Sequence, residues 1–258
     1  MTEPERSGSE QIRCRSVRCV IVLPTYNEAE NIGSFLRSVR VAAPDAFVLV
    51  VDDNSPDGTG ALAEQAAADL GSIKVLHREG KLGLGAAYRS GFAVAFDEGY
   101  DVVVSMDSDF SHDPGVIPAM LRCIADGADV VVGSRYVSGG GTVNWPIHRR
   151  LLSKWGNRYT GFALRLHVSD ITSGFRAYRA SALQAVNPAS TNAEGYAFLT
   201  ELLRKLASNG ASIVEVPITF KDRELGTSKM SGRIVAESML LVTRWGIRDR
   251  FRRSRSRA

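Results

Sequence analysis

Three aspartates follow one short apolar run in the middle of the chain. The run at 102–104 is Val-Val-Val, and Asp107, Asp109 and Asp113 come soon after it. Carboxylates crowded at the end of a strand repel one another, so a cation is expected to offset their charge. Oxygen ligands of this kind suit Mg²⁺ or Mn²⁺, which usually keep water ligands and share phosphate oxygens. Asp107 and Asp109 are therefore predicted to hold a divalent metal and, with it, a phosphorylated substrate.

Some of the acidic positions also have ordinary structural explanations. Asp113 precedes Pro114, which is typical of a helix N-cap followed by proline, and we assign it to that role. Asp52 and Asp53 follow a second apolar run, and they either recognise a ribose or a base or belong to the adjacent SPDG turn. DSDFS also has the DxDx[TVS] pattern of phosphatases that use an aspartate nucleophile. Those enzymes place it on the first strand, whereas here it follows the fourth predicted strand.

The glycine-rich loops that usually bind phosphate are missing from this sequence. A dinucleotide fold would place GxGxxG after its first strand, but that strand is followed here by PTYNE. KLGLGAAY has Tyr88 where the third glycine would stand, and GxxxxGK[ST] does not occur. Phosphate charge must therefore be met by a metal and by side chains, for which Arg135, Arg223 and Lys229 are the candidates.

The elements that must position these residues alternate regularly in the first half of the chain. Near-continuous β-branched runs bounded by helices predict strands covered on both faces, and hence an α/β fold with a mainly parallel sheet. Strands are predicted over 17–23, 47–51, 73–77, 102–106 and 129–133, and helices over 28–41, 59–70, 85–98 and 114–124. PTYNE, DDNSPDG, DSD and GSRY then all lie at the carboxyl ends of strands, where such sheets bind ligands.

The second half of the chain is less regular. It predicts helices over 147–166, 195–208 and 234–247, an extended segment and turn over 171–179, and a strand over 212–220. Pro217 favours an edge position for that strand because proline cannot donate a hydrogen bond to a neighbour. We predict a disordered lead-in over 1–15, one catalytic domain over 16–232, and an amphipathic helix with a basic tail over 233–258.

Charge and composition exclude several classes of protein. The 258 residues carry a net charge of +4, but six Arg and one Asp in 248–258 account for +5, so the rest of the chain carries −1. Aromatic residues are 8% of the chain and are not interleaved with Lys or Arg outside the tail, so we predict no nucleic-acid partner. No apolar stretch reaches membrane-spanning length and the start is polar, which predicts a cytoplasmic protein with its three cysteines reduced.

Seven segments in order resemble the dolichol- or polyprenol-phosphate mannose synthases. They are VLPTYNEAENI, VVDDNSPDGT, KLGLGAAYRSG, MDSDFSHDP, VGSRY, SDITSGFRAYR and EVPITFKDRELGTSKM. The resemblance covers roughly 17–245 and implies a metal-dependent, inverting glycosyltransferase of family 2 with the Rossmann-like GT-A fold. It implies transfer of mannose from GDP-mannose to a polyprenyl phosphate, giving β-mannosyl phosphate. A related enzyme using UDP-glucose or another donor is the alternative.

The resemblance also implies roles for individual residues. Donor contacts fall on Pro24, Tyr26, Glu28, Val51, Asp53, Asp107, Ser108, Asp109, Arg135, Arg223 and Lys229. Metal ligands fall on Asp107, Asp109 and Ser111, the last standing where some relatives have Gln, and Ser108 stands where Ala is usual. Arg135, Arg149 and Ser153 would receive the lipid phosphate, and Asp109 and Arg135 are the catalytic candidates. Asp170 and Glu201 receive no role.

The acceptor that the resemblance implies has consequences both for catalysis and for the place where the protein works. A phosphate monoester is already anionic near neutral pH, so the enzyme needs no strong general base and must mainly hold two anions together. Arg149 and Ser153, like Arg150 and Lys154, are four positions apart on one predicted helix and share a face. A basic face of this kind favours peripheral association with the cytoplasmic leaflet. The resemblance makes a separate membrane-spanning partner plausible, since relatives without spans of their own often rely on one.

Overall fold

Nine strands and eight helices make up the part of the chain that the computed structural model describes, residues 17–222 and 232–255. The strands are β1 Cys19–Thr25, β2 Phe47–Asp52, β3 Ile73–His77, β4 Val102–Ser105, β5 Val130–Ser134, β6 Gly141–Val143, β7 Arg176–Arg179, β8 Ile213–Pro217 and β9 Thr219–Lys221. The helices are α1 Ile32–Ala42, α2 Thr59–Leu70, α3 Leu84–Asp97, α4 Ile117–Ala125, α5 Ile147–Leu164, α6 Ala180–Ala185, α7 Gly195–Ser208 and α8 Gly232–Arg255. The predicted lead-in over 1–15 lies outside the described residues.

Seven strands form one mainly parallel sheet in the order β3-β2-β1-β4-β7-β5-β8. β7 is the exception, since it runs antiparallel to both of its neighbours, β4 and β5. β4 and β5 therefore still point the same way, and the carboxyl ends of β1, β2, β3, β4 and β5 meet at one edge. The remaining strands, β6 and β9, pair with each other as a small parallel sheet.

Helices cover both faces of the large sheet, as the unbroken apolar strands predicted. Alternate residues of one strand point to opposite faces, so Val20 and Val22 of β1 join one core while Ile21 and Leu23 join the other. α3 lies especially close to the sheet at Gly91, which has no side chain. A Cβ added there would come 2.4 Å from a methyl carbon of Val22. The prediction of a mainly parallel sheet with helices on both faces is confirmed.

Two predicted element boundaries were wrong. α1 begins at Ile32 instead of 28, because the amides of Asn31 and Ile32 both bond to the Glu28 carbonyl and form a turn there. The predicted strand over 212–220 is two strands in different sheets. The chain changes sheet at Ile218, whose amide donates to the Ser134 carbonyl at 3.0 Å. β8 lies at the edge of the large sheet, as Pro217 indicated.

The last helix, α8, continues well into the basic tail and packs against the domain. It contacts α5 and α7, and Val242 and Trp245 are buried in the core on that side. A Cβ at Gly246 would come 2.6 Å from the Ala163 carbonyl oxygen, so the two helices approach closely there. Within the described ranges, no helix combines the length and apolarity needed to cross a membrane.

Candidate active site

The predicted site residues lie along one edge of the sheet because the strands that carry them are parallel. Pro24 ends β1 with Thr25, and Tyr26 and Glu28 follow it. Val51 lies in β2 and Asp53 follows that strand. The segment 107–111 follows β4, and Arg135 follows β5. The structure therefore brings together residues that are more than a hundred positions apart in sequence.

The loop after β1 is held by side chains of the SPDGT turn. The amides of Asn27, Glu28 and Ala29 donate to Ser55 Oγ at 3.1 Å, Thr59 Oγ1 at 2.9 Å and Asp57 Oδ2 at 3.1 Å. Burial acts to raise the pKa of Asp57, but hydrogen bonds from Thr59 and Ala29 outweigh it and lower that pKa. The turn thus fixes the backbone that carries Tyr26 and Glu28.

The two aspartates after β2 have different partners. Asp52 is buried and accepts bonds from Thr25 Oγ1 at 3.0 Å and from the Ser55 hydroxyl at 2.6 Å. For Asp52, the turn explanation is therefore the correct one. Asp53 accepts a bond of 2.5 Å from Arg78 Nη1. Burial raises the pKa of Asp53 in spite of that pair, whose charge acts to lower it.

The acidic segment after β4 offers oxygen ligands in a largely buried setting. Asp109 is buried, and its Oδ1 accepts a 3.0 Å bond from the Ser111 amide. Ser111 is also buried, and its hydroxyl makes no hydrogen bond to any described residue. Asp107 is half-buried, and its amide donates to His112 Nδ1 at 3.4 Å. Two carboxylates and an unbonded buried hydroxyl fit a hard divalent cation.

No third acidic, histidine or cysteine side chain completes this cluster within the described part of the chain. A divalent ion bound there would therefore depend on the two carboxylates, the Ser111 hydroxyl, and oxygens from water or substrate. That ligand set is typical of Mg²⁺ or Mn²⁺ bound together with a phosphorylated substrate.

Arg135 is held by a carboxylate for which the sequence gave no role. Its Nε and Nη2 each donate to Asp170 at 2.6 Å, and its amide donates to the same carboxylate at 2.9 Å. Asp170 is 0% exposed, and the Arg135 side chain is 8% exposed. Glu215 Oε1 accepts from the Asp170 amide at 3.0 Å and fixes that backbone in turn. Asp170 therefore orients Arg135 with three hydrogen bonds.

A chain of hydrogen bonds connects Arg135 to Ser153, one of the two predicted lipid-phosphate residues on α5. Arg135 Nη2 donates to Thr172 Oγ1 at 2.8 Å, and Asn157 Nδ2 donates to the same hydroxyl at 3.1 Å. Asn157 also donates to the Ser153 carbonyl at 3.0 Å, and the Tyr136 hydroxyl donates to Ser153 Oγ at 2.7 Å. Arg135 and Ser153 thus belong to one network, although 18 positions separate them in sequence.

Aromatic rings surround the two arginines beside this network. The Arg149 guanidinium lies 4.2 Å from the centre of the Trp145 ring, and that of Arg135 lies 5.4 Å from the same ring. Arg149 Nη1 also donates to Asp222 at 2.7 Å, in a pair about one-third exposed on each side. The guanidinium groups of Arg135 and Arg149 therefore both lie close to one indole ring.

Of the remaining predicted residues, Ser108 lies in the described structure and two others lie outside it. Ser108 is buried between the paired aspartates. Arg223 and Lys229 lie outside the described residues. Glu201, which also lacked a role, accepts from the amides of Asn192 and Ala193 at 3.0 and 2.9 Å. That carboxylate supports a loop.

Sequence reasoning named Asp170 without a role and did not name Thr172, Asn157 or Arg78. Asp170, Thr172 and Asn157 orient Arg135 and Ser153, while Arg78 pairs with Asp53. Asp170 and Thr172 lie within SDITSGFRAYR, so the only available signal was that segment itself. Arg78 lies in no quoted motif. Only the pairing of β2 with β3 brings it to Asp53.

Known proteins are similar to this chain along most of its length. The family model for glycosyl transferase family 2 matches residues 20–186. The chain is 48% identical over 239 residues to polyprenol monophosphomannose synthase of Mycolicibacterium smegmatis, which covers 92% of this chain and 90% of that protein. It is also 48% identical over 241 residues to undecaprenyl-phosphate mannosyltransferase of Micrococcus luteus, and this alignment covers 93% of this chain and 99% of that protein. Dolichol-phosphate mannosyltransferase of Pyrococcus furiosus is 36% identical over 228 residues, and this alignment covers 87% of this chain and 62% of that protein.

Solved structures share the fold at lower sequence identity. Glucosyl-3-phosphoglycerate synthase from Mycobacterium tuberculosis, in complex with Mn²⁺, UDP and phosphoglyceric acid, aligns with a TM-score of 0.66 at 22% identity. The alignment covers 88% of this chain and 79% of that chain. This structural similarity supports the assignment of the fold.

The fold and the site define a class of protein, the nucleotide-sugar glycosyltransferases with a GT-A fold. Within that class, the chain belongs to glycosyltransferase family 2. The resemblance to polyprenol-phosphate mannose synthases is confirmed, since relatives with those names align along nearly the whole chain.

Proposed function

We propose that this glycosyltransferase moves mannose from GDP-mannose to a polyprenyl phosphate, with inversion at the sugar carbon. The observation that carries the proposal is the pairing of two charged sites on one edge. The carboxylates of Asp107 and Asp109 lie after β4, and the arginines Arg135 and Arg149 face Trp145 nearby. The names of the relatives at 48% identity support this choice of donor sugar and acceptor.

Asp107, Asp109 and Ser111 are the residues that would hold a divalent metal, Mg²⁺ or Mn²⁺. Bound there, the ion would neutralise charge on the leaving diphosphate. Asp109 is suited to this task because the hydrogen bond from the Ser111 amide orients its carboxylate. Ser111 brings a buried hydroxyl that lacks a hydrogen bond to the described residues, so coordination would satisfy it.

The acceptor phosphate is assigned to Arg135, Arg149 and Ser153. An anionic phosphate oxygen is already a nucleophile, so the side chains need only bind it and aim it at the sugar. Asp170 holds the Arg135 guanidinium in one orientation, and charge-assisted bonds from arginine to phosphate are short and directional. The remaining donor contacts, Pro24, Tyr26, Glu28, Val51, Asp53 and Ser108, with Arg223 and Lys229, stay proposals.

A lipid acceptor requires the enzyme to work at a membrane surface, and we assign α5 to that surface. Leu151 and Trp155 are 61% and 56% exposed on it, and the exposed cations Arg150 and Lys154 lie beside them. An apolar strip flanked by cations is typical of a helix that lies in the interface of an anionic leaflet. The cytoplasmic face is where the nucleotide donor is expected.

The proposal is tested by supplying the purified full chain with labelled GDP-mannose or UDP-glucose, a short polyprenyl phosphate and Mg²⁺ or Mn²⁺. With GDP-mannose, we expect labelled mannose in the organic-extractable lipid fraction. With UDP-glucose, we expect no labelled glucose in that fraction, and chelation of the metal should abolish transfer. The variant with both Asp107→Asn and Asp109→Asn should lose at least about 100-fold in activity, on the scale of removing an electrostatic stabiliser. It should also lose Mn²⁺ binding measured by electron paramagnetic resonance.

Asp113→Asn is the matched control, since it changes a carboxylate of the same acidic segment. Asp113 caps the turn that starts at Pro114 by accepting from the Gly115 amide at 2.8 Å, and asparagine caps equally well. We expect this variant to keep activity and Mn²⁺ binding. Transfer from UDP-glucose in preference to GDP-mannose would overturn the proposed donor.

A further inference from the structure

A bulky residue in the acidic segment after β4 has a backbone conformation that such side chains rarely adopt. Phe110 lies between Asp109 and Ser111 and has a φ of +60°. Six other non-glycine residues in the described part of the chain have positive φ, and four of them are asparagine, which tolerates this region well. Phe110 is the only apolar member of the set. An outlier of this kind persists only where the surrounding structure holds it, and such outliers cluster at functional sites.

The ring of Phe110 packs against the core, and this contact holds the conformation in place. It meets the ring of Phe35 in α1 edge to face, with 5.1 Å between the ring centres and 77° between the ring planes. Phe35 is 0% exposed and packs in the same core cluster as Ile117 and Met120. An aromatic contact of this geometry is favourable beyond the area that it buries. The contact with Phe35 therefore opposes a return of Phe110 to negative φ.

The reversed backbone at Phe110 sets the position of Ser111. The Ser111 amide turns back across Phe110 and donates to Asp109 Oδ1 at 3.0 Å. The Ser111 carbonyl accepts from the Lys221 amide at 3.2 Å. Both backbone groups of Ser111 are therefore bonded, while its buried hydroxyl makes no hydrogen bond to a described residue. The hydroxyl is thus the group of Ser111 that remains available to a ligand.

We propose that Phe110 is a positioning residue for the divalent metal, an inference that rests on the proposed function. Its left-handed conformation brings the Ser111 hydroxyl and the Asp109 carboxylate to the same ion, and the contact with Phe35 keeps them there. The Phe110 side chain has no oxygen or nitrogen atom, so it acts only through its two neighbours. A ligand set that is already in place loses less conformational freedom when the ion binds, and it therefore binds the ion more tightly.

A purely structural role of Phe110 predicts a different result. If the ring only filled space against Phe35, its removal would lower the stability of the protein and leave metal affinity unchanged. Glycine adopts positive φ without strain, so Phe110→Gly loses the ring contact but also relieves the backbone. Glycine also samples negative φ freely, so Ser111 is no longer held in one place. We therefore expect metal affinity to fall while stability changes little.

The experiment measures Mn²⁺ affinity of the full chain by electron paramagnetic resonance in the presence of inorganic pyrophosphate. Pyrophosphate supplies the diphosphate oxygens of a donor without a base or a sugar. Phe110→Gly should weaken Mn²⁺ binding by about 10- to 100-fold, the range for residues that orient metal ligands. Its melting temperature, followed by circular dichroism, should stay within about 4 °C of wild type because relief of strain offsets the lost contact.

Phe35→Leu tests the same contact from the other side. It removes the ring that holds Phe110 and should weaken Mn²⁺ binding by a smaller factor, since leucine fills part of the space. The double variant should bind Mn²⁺ no more weakly than Phe110→Gly alone, because Phe35 acts only through Phe110. Losses that multiply in the double variant would contradict this coupling.

Arg165→Gly is the matched control for the change in backbone. Arg165 is exposed and has a φ of 55° at the end of α5, so glycine relieves the same kind of strain there. This variant should bind Mn²⁺ like wild type. If Phe110→Gly also bound Mn²⁺ as tightly as wild type, the ring would be only structural and the inference would be overturned.

The outcomes separate this inference from the proposed function. If Phe110→Gly loses Mn²⁺ affinity but wild type transfers no mannose to polyprenyl phosphate, the proposed function fails and the role of Phe110 stands. If wild type transfers mannose from GDP-mannose but Phe110→Gly keeps the Mn²⁺ affinity of wild type, the proposed function stands and the inference fails.

Discussion

Replacing Asp170 with asparagine should both destabilise the protein and slow transfer. The substitution keeps the size of the side chain but removes its charge and replaces one carboxylate oxygen by an amino group. Asp170 now accepts three bonds from Arg135, two of them from the guanidinium at 2.6 Å. An asparagine can accept at only one oxygen, and its amino group would face the N–H donors of Arg135.

The size of the effect follows from burial. Asp170 is fully buried and Arg135 nearly so, so the variant leaves a buried guanidinium without its counter-charge. Breaking such a pair costs about 3–5 kcal/mol, and we expect about 3 kcal/mol because asparagine retains one acceptor. For a chain of this size, that corresponds to a fall in melting temperature of roughly 6–12 °C.

The functional effect follows from orientation. If the guanidinium of Arg135 moves by about 1 Å, kcat should fall on the order of 100-fold, because transfer depends on how the two anions are aligned. The assay is initial-rate transfer to polyprenyl phosphate below the melting temperature of the variant, together with thermal unfolding followed by circular dichroism. We expect kcat to fall more than KM for GDP-mannose rises.

Glu98→Gln provides the matched control for this prediction. Glu98 pairs with Lys74 at 2.8 Å, but the side chains are 33% and 52% exposed. A surface pair of this kind is worth about 0–1 kcal/mol, and it lies away from the site. If Asp170→Asn cost no more than Glu98→Gln and left kcat unchanged, the role assigned to Asp170 would be wrong.

Three further predictions follow from local geometry. Asp57 has a lowered folded-state pKa, so its stabilisation is present above its ordinary pKa of 3.8 and is lost as the pH falls through the folded value. The difference in unfolding free energy between wild type and Asp57→Asn should therefore shrink on acidification, and a constant difference would contradict this. Gly91→Ala should destabilise by about 1–3 kcal/mol because its methyl group meets Val22, whereas Gly156→Ala, with open space, should stabilise by about 0.5–1 kcal/mol in urea unfolding. Arg149→Met should raise KM for polyprenyl phosphate about tenfold and leave GDP affinity unchanged, as charge-assisted phosphate bonds predict; equal losses for both substrates would contradict the assignment.

The alternation of apolar runs and helices predicted most of the fold. Strands buried on both faces must be apolar along their whole length, so β1, β2, β4 and β5 were visible as β-branched runs. β7 was harder to predict, because RAYR has no apolar run. Its fully buried Arg176 is satisfied by the carbonyl oxygens of Ile171, Ser173 and Leu199, which a sequence pattern does not reveal.

The site residues also divide into those that the sequence predicted and those that it did not. Asp107, Asp109 and Arg135 were predicted because each follows an apolar strand, and chain order alone places such residues at one edge of a parallel sheet. The partners that orient them come from elsewhere in the chain. Asp170 reaches Arg135 across 35 positions, and Arg78 reaches Asp53 across 25.

The amino-acid sequence by itself determined the class of fold and which carboxylates and arginines follow the strands at one edge of the sheet. Those properties depend on local periodicity and on which residues end each strand. Only the tertiary structure decided which charges are paired, how deeply they are buried and what orients them. Pairing and burial depend on which strands become neighbours, and that is a property of the whole packed chain.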